Sequence, residues 1–187
     1  YHYNAADFAG GPNDVPVSTT DDRGSHYAGL QTTFTTTAGS RNRIEVGFYG
    51  FHQRDHQRLG LAFSDPDVAP LSVVQQPSGG TAAVFAQETF TAASWLTLTA
   101  GVRQTHAAGA IGENATSPRL GASAVLGRSN VTVRGFYGRF YQEPPLVTAS
   151  GPLVEFASSQ DLAFVPLRGE RDKEFQVGVT VPVRGWV

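Results

Sequence analysis

The chain has no cysteine and no methionine, and its charge is sparse and nearly balanced, with 14 Lys and Arg against 16 Asp and Glu for a formal net charge of -2. The missing cysteine removes disulfide frameworks, thiolate-ligated zinc and thiol nucleophiles together, while leaving the compartment open. Without an extended basic block, nucleic acid is not an expected partner. No stretch approaches the ~18 consecutive apolar residues of a membrane-spanning helix, and amphipathic helical periodicity is absent. There is no G-x-S-x-G, no H-E-x-x-H and no carboxylate pair in a catalytic context, so neither an enzyme nor a cofactor is expected. No charged n-region or apolar h-region opens the chain at Tyr1, so any export signal is expected outside these residues. Both ends read as cut, Arg184-Gly185-Trp186-Val187 resembling a turn and the start of a further strand.

What the sequence does contain suits pleated strands and tight turns. Gly (21) and Phe (12) are abundant, alongside many Thr, Ala and Val. Residues 172–183 alternate without a miss, placing Phe175, Val177, Val179, Val181 and Val183 on one face and Glu174, Gln176, Gly178 and Thr180 on the other. Their number matches the roughly 9 to 11 tilted residues that carry a β-strand across a bilayer.

The same period of two recurs along the chain. Strands are expected at residues 27–37, 42–53, 82–90, 95–106, 117–126, 131–141 and 172–183, with residues 1–8 as the possible end of another. Leu30, Thr32 and Phe34 oppose Gln31, Thr33 and Thr35; Leu96, Leu98 and Val102 oppose Thr97, Thr99 and Arg103. Residues 82–90 and 131–141 are mixed on both sides, and the pattern leaves open which side is apolar. Short turns are expected at 38–41, 91–94 and 127–130, a medium loop at 107–116, and long loops at 54–80 and 142–171. All short turns fall at one end, as in outer-membrane barrels with short periplasmic turns and long extracellular loops. The fold class expected is therefore all-β, an antiparallel transmembrane β-barrel segment of seven or eight strands.

Five motifs then carry a resemblance. Val84-Phe85-Ala86-Gln87-Glu88, Trp95-Leu96-Thr97-Leu98-Thr99-Ala100-Gly101-Val102-Arg103 and Ser117-Pro118-Arg119-Leu120-Gly121 resemble successive barrel strands of TonB-dependent outer-membrane receptors. The segment from Arg134 to Pro145 and that from Leu167 to Gly178 resemble two later elements, in the family's order and spacing. The resemblance implies a barrel of about 22 strands closed by a plug domain, in the bacterial outer membrane, taking up a scarce small-molecule nutrient such as a siderophore or an oligosaccharide with energy from the TonB complex. Residues 1–187 would then be part of the barrel domain, with outer-membrane lipid, the receptor's own plug, the TonB complex and the ligand as partners. Two other readings stay open: a soluble or surface β-sandwich for adhesion, whose apolar faces would meet each other, and a passive porin-like barrel.

Among candidate sites, His52-Gln53-Arg54-Asp55-His56 has two imidazoles and a carboxylate within five residues. On a strand His52, Arg54 and His56 share a face with Asp55 opposite, and a guanidinium between two imidazoles opposes a cation. A solvated polar stretch is the preferred reading, and no metal site is assigned. Arg168-Gly169-Glu170-Arg171-Asp172 is read as a rim of mutually compensating charges. Arg103, Arg119 and Arg139 are read as facing a lumen, toward the plug or an anionic ligand. The sequons at Asn114 and Asn130 are taken as incidental. Substrate-binding residues are not assigned.

Overall fold

The computed structural model describes residues 1–182 apart from 12, 15, 110, 128–129 and 147–166. The strands are β1 (His2–Ala9), β2 (Ser18–Ala38), β3 (Asn42–Ala62), β4 (Leu71–Gln75), β5 (Ser78–Ala93), β6 (Leu96–Ala108), β7 (Glu113–Leu126), β8 (Val131–Gln142) and β9 (Glu170–Thr180). All belong to one antiparallel sheet in the order β1-β2-β3-β5-β6-β7-β8-β9, with β4 paired to the outer end of β3. Among the described residues no second sheet covers it, so the two facing layers that a sandwich requires are not formed. The sheet is open, β1 pairing with β2 and β9 with β8.

The residues of each strand explain which way it faces. Because directly paired residues of antiparallel strands share a face, the registers carry one set of side chains from strand to strand. Asp55, Gln57, Leu59, Thr81, Ala83, Thr105, Ala107, Glu113, Ala115 and Ser117 are all buried and all fall on one face, the inner one. The opposite, outer face carries Leu30, Phe34, Val46, Phe48, Val84, Leu98, Val102 and Leu120, all exposed. It continues through Phe175, Val177 and Val179, whose exposures of 76%, 85% and 61% show that nothing among the described residues covers them. Residues 82–90 are thereby resolved: Val84, Ala86, Glu88 and Phe90 face outward, Phe85, Gln87 and Thr89 inward. Glu88 interrupts the apolar band, directly opposite Ile44 and Ala100.

Toward the short turns the inner face is polar, with Thr33, Thr35, Gln87, Thr97, Thr99, Ser123 and Gln176, and the outer face is apolar. Toward the long connections this contrast is lost, the outer face turning polar and the inner face mixed. There the outer face bears His52, Arg54, His56 and Arg58, then Gln104 and His106, then Asn114 and Thr116, while Leu59, Ala83, Ala107 and Ala115 are buried inside. At about 3.3 Å per residue, the 21-residue β2 and β3 span roughly 70 Å, well over twice the ~30 Å of a hydrocarbon layer. Their outer halves therefore stand beyond the apolar band even when tilted.

Several expectations are corrected. Residues 54–62, read as loop, continue β3, and residues 71–75 of the same expected loop form β4. Strand β2 begins at Ser18 rather than at residue 27, and residues 2–9 do form a strand. The medium loop 107–116 shrinks to 109–112, because Ala107 pairs Glu113 and the ladder runs on to Ser117. The break at 91–94 is in part a register shift between Thr91 and Ala93 within β5. The turn expected at 38–41 narrows to 39–41, where Gly39 (φ 69°) supplies the left-handed residue such a turn needs; of the turn expected at 127–130, Gly127 (φ 58°) and Asn130 (φ 53°) are left-handed, and 128–129 lie outside the described residues. Val183 and residues 184–187 lie outside the described residues, as does most of the 142–171 connection.

Candidate functional site

Chemistry collects at the outer end of the sheet, where the long connections meet and inner-face Glu113 reaches Tyr141 and Arg171 of the opposite face. The β7–β8 ladder runs from Leu126↔Val131 to Arg119↔Gly138, whereas β8 stays paired to β9 as far as Gln142↔Glu170. Beyond Gly138, β8 therefore follows β9, and the gap toward β7 is bridged by side chains. One carboxylate, Glu113, does most of this: its Oε2 accepts from the Tyr141 hydroxyl at 3.1 Å, the Gly169 amide at 3.2 Å and Arg171 Nη2 at 3.4 Å. The Arg171 guanidinium also lies 5.3 Å from the centre of the Tyr141 ring, within cation-π range. Burial, the hydrogen bond to Glu113 and that residue's negative charge push the Tyr141 phenol up to about 12. Tyr141 is thus a neutral donor at any ordinary pH. A Cβ at Gly169 would collide with the Tyr141 ring, so any other residue here has to displace that ring.

A second contact starts where β8 ends. The Thr81 hydroxyl of β5 donates to Glu143 Oε2, so residues 143–146 cross over the outer ends of β6 and β5 instead of leaving the sheet. Burial raises the Glu143 carboxyl above the ordinary carboxylate range. Beneath the crossing lies a cavity of about 140 Å³, lined by Phe51, Gln53, Ala107, Ile111, Glu143, Pro144 and Leu146 among others. Gly109 packs against Gly79 of its wall, with φ 144° and a position where a Cβ would stand 2.8 Å from the Gly79 Cα. The arrangement offers apolar and aromatic walls with one carboxylate and one amide, the make-up of a small-molecule pocket.

Deeper on the inner face, Arg103 stacks 5.4 Å from the Tyr49 ring centre and Arg119 5.3 Å from that of Phe140. Together with Gln31 and Gln87 the two arginines line a depression of about 200 Å³. Arg119 Nε is buried without a hydrogen-bond partner among the described residues, a donor open to an acceptor from elsewhere.

The residues singled out in the sequence are distributed as follows. His52, Arg54 and His56 share the outer face, and Asp55 turns inward to accept from Gln53 Nε2 at 2.8 Å. Among the described residues no three potential ligands converge on a metal position. Arg103 and Arg119 face inward as expected, but Arg139 does not. It pairs with Lys173, two residues along from the Tyr137↔Phe175 pair, and so shares their outer face. Phe136 and Phe140 face inward, which leaves Tyr137 and Phe175, 4.8 Å apart between ring centres, as the outward aromatic pair at this end. The charges of 168–172 are not mutually compensating: Arg171 is taken by Glu113, 58 residues away. Sequence reading missed Glu113, Thr81 and Glu143. The one available signal was the alternation of Glu113, Ala115 and Ser117 in phase with the strand that follows. Asn114 Oδ1 lies 2.9 Å from His106 Nδ1 on the outer face.

A family model described as TonB dependent receptor-like, beta-barrel matches residues 1–184. Comparison with curated proteins finds no match, and comparison with solved structures finds none.

Proposed function

This chain belongs to the TonB-dependent receptor-like β-barrel family, whose members are outer-membrane receptors and transporters, and from that membership we propose that it is a stretch of barrel wall that takes a scarce nutrient through the bacterial outer membrane. The observation that carries the reading is the uncovered outer face from Leu30 to Val179. Covering side chains of this size is worth about 1.5–3 kcal/mol each, and a single sheet layer can gain that only from lipid. Two open sheet edges in hydrocarbon would cost several kcal/mol per unpaired group. Residues 1–187 are accordingly part of a larger barrel domain whose other strands close both edges.

The inner face supplies the rest of the proposal. Its polar lower half, with Arg119 Nε lacking a partner among the described residues, suits a plug domain that presents carbonyls or carboxylates. The cavity under residues 143–146 and the Glu113 cluster lie on the extracellular side, where a siderophore or oligosaccharide would first touch the receptor. Phe51 and Ile111 would contact its apolar parts, and Gln53 and Glu143 its hydroxyls or amines.

The test is growth of cells carrying or lacking the intact receptor, on limiting iron chelates or oligosaccharides, with and without a working TonB complex. Receptor-dependent growth that disappears without TonB is the expected result. Growth that persists without TonB would replace active uptake by a passive pore.

A further inference from the structure

Strands β8 and β9 place Arg139 directly opposite Lys173, on the outer face. Side chains so paired stand about 5 Å apart at Cβ, and like charges there repel. Among the described residues no carboxylate relieves them. Asp172 and Glu174, the sequence neighbours of Lys173, point to the inner face, and Glu174 takes the amide of Gln176. On the neighbouring strand β7 the same face offers Pro118 and Thr116. Neither Arg139 nor Lys173 makes an ion pair among the described residues, and Arg139 Nε spends its one described hydrogen bond on the Tyr137 hydroxyl at 3.0 Å. The next cation on that face, Arg171, is already held by Glu113.

The position of the pair is as telling as its charge. Arg139 and Lys173 sit immediately beyond the Tyr137–Phe175 ring pair, and below those rings runs the apolar face of Val177 and Val179. Aromatic side chains of this kind mark the boundary between hydrocarbon and headgroups, so the two cations lie at headgroup height. Guanidinium and ammonium groups side by side are a phosphate site, the first binding through a planar fork and the second as a point charge.

We propose that Arg139 and Lys173 bind the phosphate of a lipid in the surrounding leaflet, with its acyl chain along Phe175, Val177 and Val179. The inference rests on the reading that this face meets lipid. An anion between the two cations converts a repulsive pair into a bridge, and so locks β8 to β9 at the edge of the Glu113 cluster.

The intact receptor, purified in a neutral detergent, is titrated with dioleoyl phosphatidic acid and, separately, with dioleoylglycerol, which has the same chains and no phosphate. The wild type is expected to bind the phosphate lipid at least tenfold more tightly than the diacylglycerol. The Arg139→Gln, Lys173→Gln double variant is expected to lose that preference while keeping its thermal midpoint in detergent, and each single variant to lose part of it. Retention of full preference by a folded double variant would overturn the proposal. So would saturation of the site by millimolar inorganic phosphate with equal effect on both lipids, which marks a free-anion site. Failure of the lipid-facing reading itself is separately visible, because Val177→Arg would then leave insertion into vesicles unchanged.

Discussion

Glu113 and Arg171 are 58 residues apart in sequence and 3.4 Å apart in space, and their contact ties β7 to β9 past a strand that has already left the β7 ladder. Glu113→Ala would strip three donors of their acceptor at once. Because the Arg171 side chain is half exposed, its share is discounted for solvent screening, and the expected loss is about 1–2 kcal/mol. Hydrogen exchange of the intact receptor should show the Gly169 amide and the outer end of β8 losing protection, with the β6–β7 ladder below Ser117 unchanged.

Replacing Gly169 with leucine forces a side chain into the Tyr141 ring. The variant should melt several degrees lower, and Tyr141→Ala in the same chain should recover part of that loss. A glycine needed for backbone freedom alone would give no recovery, so the double variant separates the two causes.

Arginine at Val177 and arginine at Gln176 differ by one residue and by face. On lipid-facing positions near the middle of a bilayer an arginine costs about 2–4 kcal/mol, while lumen positions tolerate it. Urea titration of the receptor folded in vesicles should show the Val177→Arg penalty and little change for Gln176→Arg.

The raised Glu143 carboxyl gives the outer end a pH dependence of definite sign. Burial favours the neutral form in the folded protein, so the stabilisation from this group is complete below the ordinary carboxylate range and is lost as pH rises through the higher folded value. The thermal midpoint of the wild type should therefore fall, relative to Glu143→Gln, as pH is raised from 4 toward 7. The Gln variant keeps an acceptor for Thr81 without a titration. Equal pH profiles for the two proteins would show that Glu143 is solvated.

Those outer-end contacts were the part of the molecule least readable from its residues. The inner halves of the strands were plain because valine, leucine and phenylalanine alternate with threonine, glutamine and arginine. Past the apolar band the strand continues but the contrast fades, since Arg54, His56 and Arg58 alternate with Asp55, Gln57 and Leu59. A polar run of that kind resembles a loop, although its backbone is fully paired. Glu113 falls in an expected loop for the same reason. Arg139 was misassigned because β8 carries Phe136 and Phe140 inside and Tyr137 outside, which leaves no hydrophobic side to read. The glycine turns were legible because left-handed φ values at Gly39 and Gly127 are a local requirement that no distant contact can override.

No side chain among the described residues is fully buried, and this reverses a familiar guide for anyone engineering the molecule. In a water-soluble domain, accessibility measures tolerance: the more exposed a position, the freer its choice of residue. Here the most accessible large hydrophobic residue, Val177 at 85%, belongs to the positions with the narrowest choice, and threonines and glutamines on the other face have the wider one. A mutational scan coloured by solvent exposure would read as a photographic negative.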